Sequence, residues 1–327
     1  MVTQDAMLGD PKLTSLSLLR QEVVSDAVLV TGPPRVGSSY FAELLGLHPE
    51  ISSTMYSINL YRYWAKSPKG RRRFDPEEQI EASLIRVGLT SENASQVAHE
   101  LCERNTFESV AEVYDAIMRW LYISDGLRVW SEKNQNVWNH LPDFVETVDS
   151  GCGVLLIRSP IDAVSSFKKF THHSGNTFLG AAFMSLSALD QAIRTQGHES
   201  IETLIYEDWV SRPVETLVEL VGRLDVTVDP EVFVQRVERH VATSSRPSRI
   251  NALTSDERAF VHTICGEASR SVGIELGVTE SLTDREMQRI IAGNPYLEHL
   301  YLEWKVSGTG NDRYPSCYLE EILSGDC

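Results

Sequence analysis

The sequence predicts an α/β protein: a central parallel sheet flanked by helices, with a helical insertion at about residues 58–122. Three observations predict it. The apolar run AVLVT (27–31) ends at Gly-Pro-Pro and is followed by the helically spaced SSYFAELLGL (38–47). A second apolar run, GVLLIR (153–158), leads into a Pro-x-Asp helix start at 160–162, and a third, IETLIY (201–206), leads into SRPVETLVELVGRL (211–224). Short, nearly unbroken apolar runs alternating with amphipathic helices are what a parallel sheet covered on both faces requires.

Taken in order, residues 1 to about 25 read as a polar lead-in, and strand, glycine loop and helix follow up to His48-Pro49. Asp75-Pro76-Glu77-Glu78 opens a helix, with the aspartate as N-cap and proline in the first turn. FESVAEVYDAIMRWLYI (107–123) is a strongly amphipathic helix, and RVW (128–130) resumes the strands. NTFLGAAFMSLSALDQAIRTQ (176–196) is a long helix. From about 228 the chain is mostly helical: Asp229-Pro230 opens one helix, and Thr254/Glu257 and Thr283/Glu286 have capping-box spacing. There are no repeats, and the whole chain, 1–327, reads as a single domain.

With 327 residues, 42% hydrophobic and 23% charged, the composition is globular, and the formal net charge is −16. Nucleic acid and anionic membranes each need a basic face, which so acidic a composition disfavours, so no partner of either kind is expected. An anion site must then be built locally. The five cysteines are scattered without a C-x-x-C pair, which argues against a zinc site or a disulfide framework, and no metal is expected. The start, MVTQDAMLGDPK, has no secretory pattern, and no apolar run approaches about 18 residues; a cytoplasmic location is the expectation.

Three motifs carry chemistry. TGPPRVGSSY (31–40) has P-loop-like glycine spacing between strand and helix, where backbone N–H groups and the helix dipole favour an anion. A nucleotide-hydrolysing loop of this spacing has lysine where Ser38 stands, which counts against a P-loop kinase or NTPase without removing that alternative. Arg158 ends a buried strand and Ser166 follows eight residues later on the next helix, so an arginine fork and a hydroxyl could meet one phosphate. Lys133, in WSEKNQNVW, follows the short strand and offers a point charge for an oxygen that gains charge. Each taken alone also reads as ordinary structure: a tight turn, an arginine paired with a carboxylate, an exposed lysine.

In this order the pieces resemble the sulfotransferase family, which uses 3′-phosphoadenosine 5′-phosphosulfate. The resemblance is carried by Pro34-Arg35-Val36-Gly37-Ser38-Ser39-Tyr40, by Glu132-Lys133-Asn134, by Arg158-Ser159-Pro160-Ile161-Asp162 with Ser166, and by Tyr206-Glu207-Asp208, and it covers about 27–225. It implies that the loop from Pro34 through Val36 and Gly37, with Arg35, Ser38 and Ser39, binds the 5′-phosphosulfate end. It also implies that Arg158 and Ser166 bind the 3′-phosphate, that Tyr40 stands where relatives stack adenine, and that Arg246 or Arg249 closes over the 3′-phosphate. Arg35 and Lys133 would be the catalytic cations, and adenosine 3′,5′-bisphosphate the product.

The general base is the gap. Relatives place a histidine two residues after the lysine, where Gln135 stands, or a glutamate shortly after the first helix, where only Glu50 occurs. Glu132, His140, His172 and His173 are the candidates. The expectation is a sulfotransferase acting on a small-molecule hydroxyl, including a natural-product intermediate free or on a carrier protein. A non-catalytic nucleotide-binding relative is the second alternative. The basic run SPKGRRRF (67–74) reads as a solvated loop or as a clamp for an anionic acceptor or carrier. The sequence leaves the oligomeric state open.

Overall fold

A computed structural model describes residues 26–61, 74–123, 126–170, 175–243, 252–277 and 280–310. In chain order its elements are β1 (Asp26–Gly32), α1 (Ser38–Leu45), β2 (Ile51–Met55), α2 (Pro76–Arg86), α3 (Ser91–Arg104), α4 (Val110–Tyr122), β3 (Val129–Gln135), α5 (Leu141–Thr147), β4 (Gly151–Ile157), α6 (Pro160–Phe170), α7 (Gly180–Arg194), β5 (Ile201–Ile205), α8 (Pro213–Val221), α9 (Pro230–Thr243), α10 (Ser255–Ser271), α11 (Asp284–Ile291) and α12 (Pro295–Ser307). The five strands form one parallel sheet in the order β2-β3-β1-β4-β5. β1 is central and every residue of it is buried, which is why its sequence is apolar without alternation.

Helix starts follow the predicted local chemistry. Asp75 accepts from the Glu78 N–H at the head of α2, and complete capping boxes open α4 (Ser109/Glu112), α10 (Thr254/Glu257) and α11 (Thr283/Glu286). The core lies on both faces of the sheet. On one face Val28, Val30, Val129, Val154 and Leu156 pack against α1, α8 and α9. On the other, Ala27, Leu29, Trp130, Leu155 and Ile157 pack against the helices of 76–122 and against α5, α6, α7 and α10. The helices of 76–122 are the crossover that carries the chain from β2 to its parallel neighbour β3.

Two elements correct the sequence reading. β2 was not anticipated: ISSTM is a short, polar edge strand whose partner, β3, lies far along the chain. β3 extends over 129–135 rather than 128–130, so Lys133 lies inside a strand and not in a loop after it. SEKN looks like a loop because it is polar, yet all four residues are buried.

The chain leaves β1 toward the α1 face and leaves β3 and β4 toward the other face. Neighbouring strands whose continuations part in this way open a crevice at their carboxyl ends, the place where open parallel sheets bind ligands.

Candidate active site

The loop between β1 and α1 is shaped by two glycines. A Cβ on Gly32 would lie 2.3 Å from the Leu156 carbonyl oxygen, so only glycine lets the loop leave beside β4. Gly37 caps α1 at φ 83°, and a Cβ there would come within 2.7 Å of the Tyr206 ring. Pro34 and Val36 are buried, and Val36 anchors the loop in the α1-side core. Ser38 is buried at the first turn of α1 and Ser39 is exposed beside it. No acidic residue and no capping side chain occupies that first turn, which leaves its field positive.

Arg35 is the pivot of this edge. It holds a left-handed backbone at φ 73°, a conformation a non-glycine residue keeps only where its surroundings enforce it. Its Nε donates to the Ser166 hydroxyl at 3.1 Å, and its carbonyl accepts from Arg158 Nη1 at 3.1 Å. Residues from three elements, the loop, the end of β4 and α6, therefore converge as their sequence spacing suggested. The Arg158 guanidinium lies 4.3 Å over the Tyr206 ring, and its Nε sits 3.5 Å from Glu207 Oε1. Among the described residues that buried Nε makes no hydrogen bond, and the Glu207 oxygen is its ionic neighbour. Tyr40 is half-buried, its ring 5.8 Å from that of Trp209 and 6.1 Å from His240.

The second part of the edge is built on β2 and β3. Lys133 is fully buried, paired in register with Val30 and Met55, and its Nζ donates to the Tyr56 hydroxyl. Tyr56, just past β2, is 38% exposed, so this cation meets the surface through a phenol.

Glu132, the neighbour of Lys133, points to the opposite face. Its Oε1 accepts from Ser57 Oγ and from the Ile58 and Asn59 N–H groups at 2.9, 2.8 and 3.2 Å. Its Oε2 accepts from the Tyr114 hydroxyl and from Asn134 Nδ2. Burial first, and the Glu132 carboxylate next, hold the Tyr114 phenol well above its ordinary pKa, so it remains a donor. A fully buried carboxylate with five donors around it holds the 57–59 turn against β3. Glu50 is likewise committed, accepting from Thr227 N–H, Thr227 Oγ1 and Val228 N–H. His140 is half-buried and its ring stacks on Tyr61 at 4.5 Å and 12°, a packing contact between the turn after β3 and the segment after β2. Arg246, Arg249, His172, His173 and the basic run at 67–73 lie outside the described residues.

Sequence reasoning missed Tyr56 as the partner of Lys133 and gave no role to Tyr206, Glu207 or Trp209 around Arg158. Tyr206-Glu207-Asp208 at the end of β5 was the available signal for the second group; nothing local marked Tyr56. Among the described residues no group of three His, Cys, Asp or Glu side chains could hold a metal ion, and no helix is long and apolar enough to cross a membrane.

A glycine-turned loop at a helix start, two arginines and a buried lysine thus gather positive charge at the carboxyl edge of a parallel α/β sheet. The profile of the family described as the sulfotransferase family matches residues 27–230, more than half of the chain, and the chain belongs to that family of transferase enzymes. No curated protein matches it. Similar solved structures include the sulfotransferase domain of the olefin synthase of Synechococcus PCC 7002, 19% identical over 75% of this chain and 96% of that one, with a TM-score of 0.43. Sulfotransferase STF9 from Mycobacterium avium is 15% identical over 79% of each chain, with a TM-score of 0.48. Mouse sulfotransferase SULT7A1 complexed with PAP is 13% identical over 85% of this chain and 88% of that one, with a TM-score of 0.36. All three are distant likenesses.

Proposed function

We propose that the enzyme takes the sulfonate of 3′-phosphoadenosine 5′-phosphosulfate and transfers it to a hydroxyl of a small-molecule acceptor, a natural-product intermediate free or on a carrier protein. The observation that carries this reading is the convergence of Arg35, Arg158 and Ser166, with a buried Arg158 Nε that makes no hydrogen bond among the described residues. A dianionic phosphate meets an arginine fork and a hydroxyl there, displacing Glu207, a weak partner at 3.5 Å.

In this reading the 34–39 loop amides, Ser38 and Ser39 hold the 5′-phosphosulfate end at the positive start of α1. Arg158 and Ser166 hold the 3′-phosphate, and Tyr40 stands beside the base. The donor supplies an activated sulfonate with a phosphate leaving group. Arg35 and Lys133 supply fixed positive charge where negative charge grows on the leaving oxygen and the sulfonate, and because both are already held by protein contacts, little reorganisation is needed. Burial of Lys133 strengthens its field relative to a solvated lysine.

The test is transfer of radiolabelled sulfonate from the donor to a panel of alcohols and phenols, free or as carrier-protein thioesters, run beside ATP with magnesium as a phosphoryl donor. Labelled product, with release of adenosine 3′,5′-bisphosphate and no ATP turnover, is the expected result. ATP hydrolysis without sulfonate transfer would overturn the proposal.

A further inference from the structure

We infer that Tyr56 is the catalytic base, its phenol ionised by the buried Lys133 and placed to take the proton of the acceptor hydroxyl. The inference rests on the sulfonate-transfer reading and supplies the group that reading lacks. The two carboxylates that the sequence offered are already committed, Glu132 to the 57–59 turn and Glu50, ahead of β2 at the amino end of the strands, to Thr227 and Val228. Tyr56 differs from both. It is 38% exposed, and its hydroxyl accepts from Lys133 Nζ. The ammonium also lies 3.8 Å from its ring centroid.

The backbone holds it there with some force. Tyr56 adopts φ 58°, a left-handed conformation that costs an aromatic residue energy. Its N–H is tied to the Lys133 carbonyl at 3.2 Å, and the next three residues are clamped by the Glu132 carboxylate on the far face of β3. Adjacent residues of one strand thus grip the 56–59 segment from both faces of the sheet, Glu132 through its backbone and Lys133 through its phenol. A sealed carboxylate network has no need to orient an exposed tyrosine; a catalytic phenol does need such a mount.

The chemistry balances. A cation in contact favours the phenolate, and burial of the lysine makes an anionic partner more valuable to it. The charged groups that bear on the phenol from β3 are Lys133 on its own face and Glu132 across the sheet. Tyr56 phenolate accepts the proton of the acceptor hydroxyl. That oxygen bonds to the sulfonate sulfur while the bond from sulfur to the donor phosphate oxygen breaks, the electron pair leaving on the phosphate. The phenol then returns its proton to water. No oxidant or metal enters the balance.

The test is a titration of the whole protein carrying ring-carbon-labelled tyrosine, with the Tyr56 signal assigned as the one lost in Tyr56→Phe. Thermal shift with adenosine 3′,5′-bisphosphate is recorded on the same samples. The wild-type Tyr56 signal is expected to titrate clearly below the ordinary tyrosine value of about 10, and to move up in Lys133→Met. Tyr56→Phe should keep its bisphosphate shift while transfer to an un-ionised alcohol from the panel falls on the order of 10²–10⁴-fold. Titration at or above the ordinary value in the wild type would overturn the inference by itself, even if Lys133→Met does not fold. A bisphosphate that fails to bind would instead remove the donor reading, and with it the reaction this base serves, whatever the titration shows.

Discussion

The carboxyl edge of the sheet has two differently built halves. Around β1, β4 and β5, the groups Arg35, Ser166, Arg158, Glu207 and Tyr206 touch one another through partly exposed contacts, and the buried Arg158 Nε makes no hydrogen bond among the described residues and only a long ion pair with Glu207. Around β2 and β3, Glu132 is surrounded by five donors and Lys133 donates to the partly exposed Tyr56, while the buried Asn59 Oδ1, Ser131 Oγ and Asn134 Oδ1 have no hydrogen-bond partner among the described residues. The first half can exchange its internal contacts for a ligand at small cost. The second holds Lys133 and Tyr56 in fixed positions.

Substitutions should separate the halves by what they damage. The largest effect is expected from Arg35→Ala. Alanine keeps a Cβ at the same left-handed position, so the backbone demand is unchanged while the charge goes; release of bisphosphate from the donor should fall on the order of 10²–10³-fold, and a fall below tenfold would sink the role of Arg35. Glu132→Ala should act on stability instead. It strands the buried Ile58 and Asn59 N–H groups and the Tyr114 hydroxyl, and urea unfolding should show a loss of at least ~3 kcal/mol. If Glu132→Ala unfolds like wild type, Glu132 does not hold the 57–59 turn.

Gly37→Ala sharpens the contrast within the open half. It forces a Cβ toward the Tyr206 ring at φ 83° and should cost about 1–3 kcal/mol together with bisphosphate binding. Glu207→Gln is expected to be gentler and opposite in sign. Removing a carboxylate 3.5 Å from Arg158 frees the guanidinium for phosphate and should tighten bisphosphate binding by a few-fold at most, measured by calorimetry. Weaker binding would show that Glu207 positions Arg158 rather than competing for it.

The smallest effect is a pH dependence. Burial tends to raise the Glu50 carboxyl, but donors from Thr227 and Val228 outweigh it and leave the folded-state pKa below the ordinary 4.5. A depressed carboxylate contributes stability that is present above the unfolded pKa and is lost as pH falls through the folded one. Acid unfolding of Glu50→Gln should therefore lack part of the stability loss seen in wild type below about pH 4.5. Parallel acid curves would refute it.

The same two halves explain what the sequence disclosed. The open half was legible because its signals are local: a glycine turn between strand and helix, and an arginine and a serine eight residues apart across a strand-helix junction. The capping boxes of α10 and α11 were legible for the same reason. The half around β2 and β3 was not. β3 buries Ser131, Glu132, Lys133 and Asn134, and a polar string reads as a loop unless its partners are known. Those partners, Ser57, Ile58 and Asn59 for Glu132 and Tyr56 for Lys133, come from over 70 residues earlier, beyond a helical crossover. Edge strand β2, which positions them, has only five residues. The hydrogen bonds of Glu132 and the contact of Tyr56 with Lys133 were therefore not legible.

The central claim is that the open half binds the two phosphates of the donor. Thermal stability with adenosine 3′,5′-bisphosphate, against ATP plus magnesium, in wild type and Arg158→Ala, tests it most directly. At about 100 times its dissociation constant the bisphosphate should stabilise the wild type by ~2.7 kcal/mol, ATP should do less, and Arg158→Ala should lose the effect. No stabilisation by the bisphosphate, or an equal response in a folded Arg158→Ala, would contradict the account.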